Sequence, residues 1–285
     1  MPEEVTRGFT LPEQVSSGDT VIEEAYRLAY ADGVVIGWYF DVTVRQPFDY
    51  SRYPLDRHDV WLRMWHADFD RDVVLVPDLE AYDSTEQSEA FGHDPDIVPG
   101  GWRINETLFE YKVFNYDTDF GIPGYVGQTG FPDLYFTVVV SRGFVGAFVT
   151  TLVPLLVVAG LLFAMLMITT AEPTRAAAFD FNTAGVIATV SALFFVVLLP
   201  HIELRQLVTG TEMVYLEQFY FTLYLTILAV TINVYVFTTG GASRLVTFVR
   251  YRDNLIAKVA FWPVILAVLA LITLGYFGGD SPRIQ

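Results

Sequence analysis

The sequence predicts a membrane protein in which an all-β sandwich, extracellular or periplasmic, precedes a bundle of four transmembrane helices. Charge is the first indication, because residues 1–142 hold 26 of the 33 acidic residues and all of the net charge of −16. Hydropathy is the second, because residues 143–285 contain four long uncharged segments. The third is the strand-like alternation of residues 34–142, which turn-forming residues interrupt repeatedly.

Composition excludes several classes of function. A strongly acidic chain is not expected to bind nucleic acid or anionic lipid, and it would instead attract cations. The absence of cysteine excludes disulfides, thiol catalysis and thiolate metal sites. The sequence has no glycine loop for phosphate, no His-Glu-x-x-His and no Gly-x-Ser-x-Gly. We therefore expect neither an enzyme nor a protein with a bound metal or cofactor.

The N-terminal residues 1–33 are expected to be a linker or the end of an upstream domain. A helix is predicted over residues 17–31, because Ser17 or Asp19 can cap it and its apolar residues share one face. This region has neither the basic start nor the apolar core of an export signal. Because the β domain is expected outside the membrane, we expect the sequence to be a fragment of a longer protein.

Residues 34–142 are predicted to form a sandwich of five or six strands. The stretches rich in β-branched and aromatic residues are residues 34–45, 60–64, 73–76, 102–112 and 134–140. Turns containing proline or glycine separate these stretches, and the longest glycine-rich loop covers residues 121–130.

Four uncharged segments are each long enough to cross about 30 Å of hydrocarbon as a helix. They are residues 144–168, 181–199, 218–238 and 259–277, within a membrane domain of residues 143–279. Basic residues concentrate in the loops after the first and third spans, and such loops face the cytoplasm. We therefore expect a multi-pass protein of the cell (inner) membrane, with its N-terminal domain outside.

The turn at residues 48–56 carries the most specific motif of the chain. It consists of Phe-Asp-Tyr-Ser-Arg-Tyr-Pro-Leu-Asp, and Arg142 stands just before the first span. This combination resembles the prokaryotic, cysteine-free type of the pentameric ligand-gated ion channel (Cys-loop receptor-like) family. The resemblance covers residues 34–285 and lacks the family's first strands, which indicates a shortened outer domain. It implies a subunit of a homopentameric channel that motion of the outer domain gates. The alternative is a non-conducting membrane receptor that passes a signal from an upstream sensor domain through the same scaffold.

The resemblance implies that six residues couple the outer domain to the membrane helices: Tyr53, Pro54, Asp56, Arg142, Pro200 and Arg205. In the family, the aspartate of the turn pairs with the arginine before the first span, which predicts a pair of Asp56 and Arg142. The tip of the turn would touch the loop after the second span. The alternative is a surface aspartate and an ordinary arginine flanking the membrane.

The second span is the predicted pore helix, because it is richer in small and hydroxyl residues than the other spans. One register places Asp180, Thr183, Ile187, Val190, Phe194 and Val197 along the pore. A second register, with Pro200 as the helix end, places Phe179, Thr183, Val186, Val190 and Leu193 there and Arg175 at the mouth. A ring of Asp180 would select permeant cations, whereas Arg175 would favour anions. We expect cations, because Asp180 adjoins the span and the outer domain is acidic. Simple packing of small residues between helices is the alternative.

The ligand site is the least defined part of the sequence. The resemblance implies an aromatic box for an amine, for which Trp65, His66, Trp102, Phe120 and Tyr125 are the candidates. Core packing is the favoured role for most of these rings, because the missing strands remove part of the family's site. His58 and His66 offer proton sensing between about pH 5 and 8 as an alternative. The stimulus is therefore left open as an unknown small ligand or the proton.

Overall fold

The chain divides into two compact units. The computed structural model describes residues 5–15, 21–31, 33–71, 73–94, 96, 100–125, 129–178, 182–208, 213–239, 241 and 243–278. The outer unit comprises Met1–Phe48 and Arg57–Arg142, and the membrane unit comprises Asp49–Asp56 and Gly143–Gln285. The turn that carries the most specific motif of the sequence therefore belongs to the membrane unit.

The outer unit is a β-sandwich-like region of two antiparallel sheets, as the sequence predicts. Its described strands are β1 (Phe9–Thr10), β2 (Val21–Tyr30), β3 (Gly33–Asp41), β4 (Arg57–His66), β5 (Trp102–Asn115) and β6 (Thr129–Arg142). One sheet has the order β1-β4-β6-β5, and the other pairs β2 with β3. Because β1 and β2 are part of these sheets, the segment predicted as a linker belongs to the β region.

The helix predicted over residues 17–31 is wrong over the residues that the structure describes. Residues 21–30 form strand β2, which pairs with β3 so that Leu28 stands opposite Val35. The Tyr26 ring covers Gly37, where a Cβ would lie 2.1 Å from a ring carbon, so a side chain at residue 37 would displace this ring. Pairing with β3 overrides the helical spacing, because strand preference depends on the neighbouring strand. The predicted caps lie outside the described residues.

Two other strand predictions change. Residues 73–76 form no strand, because the chain there pairs with no neighbour in either sheet. The short strand β1 was not predicted, since two residues are too few to show a period. The long pair β5–β6 extends the two predicted stretches to 14 residues each.

The membrane unit contains four helices that are long and apolar enough to cross a membrane. Its helices are α1 (Phe144–Ala147), α2 (Val153–Ile168), α3 (Pro173–Ala178), α4 (Thr183–Leu207), α5 (Tyr215–Thr239), α6 (Arg244–Val249) and α7 (Leu255–Phe277). A π-helical segment, Phe148–Leu152, joins α1 and α2 into the first span. It precedes Pro154, whose missing N–H interrupts the regular hydrogen-bond ladder. This chain is a multi-pass membrane protein.

The second span is longer than predicted. Helix α4 continues through Pro200 and ends at Leu207. The residues from 200 to 205 are therefore helical and not a loop, and Pro200 does not end the helix. This removes the basis of the second pore register.

Helices α2 and α5 form the centre of the bundle. Helix α4 packs on α5 and α2, and α7 packs on the same two helices. The fully buried side chains of the core include Leu162, Val197, Leu216, Tyr220 and Val234. Helix α4 therefore has one face in the core and one face turned away from its own bundle.

Candidate functional site

The turn at residues 49–56 is fixed to the ends of the membrane helices. The backbone N–H of Tyr215 donates to the carbonyl of Ser51 at 2.7 Å. The guanidinium of Arg52 lies 5.5 Å from the centre of the Phe277 ring. Tyr53 is buried in the same hydrophobic cluster as Leu204. The predicted tip of the turn thus packs with the last turns of α4 and the start of α5.

The predicted partners Asp56 and Arg142 fall in different units. Asp56 is buried and belongs to the membrane unit. Arg142 ends β6 in the outer unit, where its guanidinium lies 4.2 Å from the centre of the Trp102 ring. The ion pair between these two residues stays a prediction.

A buried carboxylate joins α4 to α5. Glu217 is 3% exposed and accepts hydrogen bonds from Arg205 Nη1 at 3.2 and 3.3 Å. The N–H of Val214 donates to the same carboxylate at 2.9 Å, and His201 Nε2 lies 3.7 Å from it. The His201 ring stacks on Tyr220 at 4.9 Å. These contacts hold the end of the second span against the start of the third.

Sequence reasoning named Arg205 but missed Glu217. The predicted third span began at residue 218, whereas helix α5 begins at Tyr215 and includes this carboxylate. An acidic residue at the end of an apolar span would have pointed to it, because such residues are costly in a membrane and usually have partners.

Both predicted pore registers conflict with the packing of α4. Val190 is 3% exposed and Val197 is 1% exposed, and Val186 and Leu193 are buried beside them. A side chain packed against the helices of its own protomer does not face an axis shared with other protomers. Of the first register, Ile187 and Phe194 are exposed, Thr183 is half-buried, and Asp180 lies outside the described residues. Phe179, of the second register, also lies outside them.

The face of α4 opposite the core carries the small side chains. With 3.6 residues per turn, this face is formed by Ala184, Ala188, Ser191, Phe195 and Leu199. All five are exposed, Phe195 by 59% and Leu199 by 61%. To face this way, the first register needs a rotation of the helix by about a third of a turn and the second register by nearly half a turn.

The structure brings three of the five predicted box residues into one aromatic cluster. The ring of Phe120 lies 5.6 Å from that of Trp65 and 6.2 Å from that of Tyr125. Trp102 lies elsewhere, against His58 at 5.3 Å. His66 is buried, and its Nδ1 accepts the N–H of Asp68 at 3.0 Å. The cavity within the cluster is about 10 Å³, which is no more than one water occupies.

An arginine beside this cluster has three polar partners. Arg63 donates to Asp133 Oδ2 at 2.6 and 2.8 Å and to Glu13 Oε1 at 2.8 Å, and it also contacts the hydroxyl of Tyr116. Burial lowers the pKa of the Arg63 guanidinium, but the hydrogen bonds to Glu13 and Asp133 outweigh it and raise the pKa above its usual value. Burial and the hydrogen bond to Asp133 raise the pKa of the Tyr116 phenol as well. Arg63 therefore stays charged and the Tyr116 phenol stays protonated at any physiological pH.

No known protein-family model matches this chain, and no curated protein matches it. The channel resemblance therefore depends on the motif in the turn and on the pattern of four spans.

A second polar cluster lies in the turn between α6 and α7, just before α7 begins. Arg252, Asp253 and Asn254 all have positive φ, from 44° to 66°, which costs about 1–2 kcal/mol for each residue. Asp253 accepts the N–H of Ala171 at 2.7 Å, and Lys258 Nζ donates to the carbonyl of Thr169 at 2.9 Å. These bonds compensate for the strained turn and connect α7 to the end of the first span.

The acid stability of the membrane unit is expected to depend on Asp253. Burial alone would raise the pKa of this carboxyl, but the Ala171 N–H and the charge of Lys258 lower it below its ordinary value. The stabilisation is therefore present above about pH 4 and is lost as pH falls through the lowered folded pKa. In thermal unfolding experiments, the Tm of the wild type should fall between neutral pH and about pH 3. In Asp253→Asn, this fall in Tm should be smaller by a few degrees. The exposed Asp59→Asn should retain the full fall, and an equal fall in both variants would contradict the assignment.

Proposed function

We propose that this protein is a subunit of a homopentameric ion channel of the ligand-gated type in the cell membrane, with the outer unit outside. The observation that carries the proposal is the first half of the free face of α4, where Ala184, Ala188 and Ser191 present small side chains, one of them with a hydroxyl. A span that faced only lipid would gain nothing from such residues. A helix that lines water needs a stripe of side chains that water can wet. Small side chains also allow copies of the helix to pack closely around an axis.

The free face has two parts along the helix. Ala184, Ala188 and Ser191 make its first half narrow and partly polar, and Phe195 and Leu199 make its second half large and apolar. In a ring of five copies, the apolar half would form a constriction that closes by dewetting. We therefore place the gate at Phe195 and not at Val190.

Cations are the proposed permeant ions. The net charge of −16 lies in residues 1–142 and would concentrate cations near an entrance formed by the outer units. A ring of Asp180 would act in the same direction, although this residue lies outside the described part of the chain. Arg175, which would favour anions, is exposed and pairs with Glu172 at 3.1 Å.

Motion of the outer unit would reach the pore through the turn and through the carboxylate of Glu217. The turn packs with the ends of α4 and α5 through Tyr53 and Ser51. Glu217 connects the same two helices through Arg205. A displacement of the turn would therefore tilt α4 and α5 together and alter the width of the pore at Phe195.

The experiment that tests the pore compares two neighbouring positions of α4. The chain has no cysteine, so Ser191→Cys and Val190→Cys each introduce a single thiol. We expect a membrane-impermeant methanethiosulfonate to modify Ser191→Cys in liposomes, because this thiol would face water and ionise. Val190→Cys should not react, because the site is buried. Mass spectrometry of the intact chain measures both.

A lipid-facing control separates the pore from the bilayer. Leu271 on α7 is 69% exposed, and Leu271→Cys should lie in hydrocarbon, where a thiol remains protonated and unreactive. If Ser191→Cys is as unreactive as Leu271→Cys, the free face of α4 does not line water. Single-particle imaging of the same sample counts the subunits, and a monomer or dimer would contradict the channel and leave the receptor alternative.

A further inference from the structure

One cationic side chain of the outer unit lies inside a cage of aromatic rings. The distances from the Arg63 guanidinium carbon to the ring centres are 4.9 Å for Phe114, 5.0 Å for Trp65, 5.9 Å for Tyr116 and 5.9 Å for Tyr135. Aromatic faces at such distances attract organic cations, most strongly where water is excluded. The side chain of Arg63 is only 14% exposed.

Two carboxylates complete the cage. Asp133 Oδ2 accepts a hydrogen bond from Arg63 Nε at 2.8 Å and lies 2.6 Å from Arg63 Nη2, and Glu13 accepts a further hydrogen bond from Nη1. Asp133 is 1% exposed, and within the described residues its Oδ1 has no hydrogen-bond partner. Two negative charges therefore surround one positive charge, so the cage requires a cation.

The occupant of the cage comes from the chain itself. Arg63 stands on β4 opposite Tyr135 of β6, so the central strands of the sheet fix both the cation and one wall of its cage. The adjoining aromatic cluster leaves a cavity of about 10 Å³, which admits no organic ligand beside the guanidinium.

The geometry points to Arg63 as a built-in ligand that closes this cage to external amines and guanidinium compounds. Any stimulus that acts on the outer unit then enters at another place. Removal of the guanidinium leaves two carboxylates and four rings around an empty space, which has the chemistry of a receptor for small guanidinium cations. This inference does not depend on whether the protein conducts ions.

Chemical complementation of Arg63→Ala tests the inference. Thermal unfolding and titration calorimetry of the full chain in detergent would use methylguanidinium chloride at millimolar concentration as the probe. We expect Arg63→Ala to lower Tm by about 5 °C or more, because the buried Asp133 and the partly buried Glu13 lose their partner. Methylguanidinium should bind Arg63→Ala saturably and raise its Tm back toward that of the wild type. The wild type and Arg103→Ala, which removes an exposed arginine from β5, should show no saturable binding.

Two results with folded protein would overturn the inference. Saturable binding of methylguanidinium to the wild type would show that the cage is open. Folded Arg63→Ala that binds no methylguanidinium would show that the cage is not a cation site. If Arg63→Ala does not fold alone, it is purified with methylguanidinium throughout, together with Arg63→Gln. Recovery of folded protein only with the cation supports the inference, and failure to recover it overturns the inference.

Discussion

Replacement of Glu217 by alanine is expected to destabilise the membrane unit by about 1–3 kcal/mol. The carboxylate is buried and accepts hydrogen bonds from Arg205 and from the N–H of Val214. Its removal leaves the Val214 N–H without its acceptor and Arg205 without this ion pair. The buried N–H of Val214 accounts for most of the loss, because water can solvate Arg205, whose side chain is 42% exposed.

The measurement is thermal unfolding in detergent, followed by far-UV circular dichroism because the membrane unit is helical. Glu203 is the matched control, since it is an exposed carboxylate on α4, and Glu203→Ala should change Tm by a degree or two at most. Glu217→Gln keeps an acceptor for Val214 and should fall between the wild type and Glu217→Ala. A Glu217→Ala protein as stable as Glu203→Ala would show that this carboxylate does not hold α4 to α5.

Replacement of Tyr53 by alanine is expected to detach the turn from the helices. The ring is 9% exposed within the core of the membrane unit, and truncation of a buried aromatic side chain costs about 3–5 kcal/mol. Hydrogen exchange of the Tyr53, Leu55 and Tyr215 amides, which donate to Tyr50, Arg52 and Ser51, reports this local opening. Their exchange should rise by about 100-fold or more, since 1.4 kcal/mol corresponds to tenfold.

Leu55 provides the control for this experiment. It lies in the same turn but is 44% exposed, so Leu55→Ala should leave the exchange of the Tyr215 amide unchanged. If Tyr53→Ala also leaves this amide protected, the backbone bond alone holds the turn, and the ring has no part in coupling. The result does not require a known stimulus, because it measures the attachment and not the current.

The sequence predicted most of the secondary structure where a strong period was present. Long uncharged segments fixed all four spans, because few other structures tolerate so many apolar residues without a charge. Strands β4, β5 and β6 were predicted from alternation. The prediction failed at residues 21–30, where apolar residues fit both a helix and a strand, and pairing with β3 decides between the two.

The ends of elements were also beyond the reach of sequence. Pro200 is an expected helix end, yet α4 passes through it and ends seven residues later. Contacts with α5 stabilise this extension, since Leu204 is buried and Arg205 bonds to Glu217. Such compensation depends on residues distant in the chain, and a local propensity contains no information about them.

The candidate sites show the same division. The motif at residues 48–56 located the turn, whose residues 49–56 belong to the membrane unit, and the role of the turn in coupling stays a prediction. The face of α4 could not be chosen, because the span is apolar around most of its circumference and shows little amphipathic preference. No pattern in the sequence shows that Arg63 lies among the rings or that Trp102 lies apart from the other predicted box residues.

The sequence by itself determined the order of a β region and four spans, the exclusion of cysteine chemistry and the location of the charge. These properties follow from composition and period, which act locally along the chain. The tertiary structure alone decided which face of α4 is buried, that Glu217 joins two helices, and that Arg63 fills its own cage. Each of these features depends on contacts between side chains that are distant in the sequence. Packing and charge pairing in the folded chain determine these contacts.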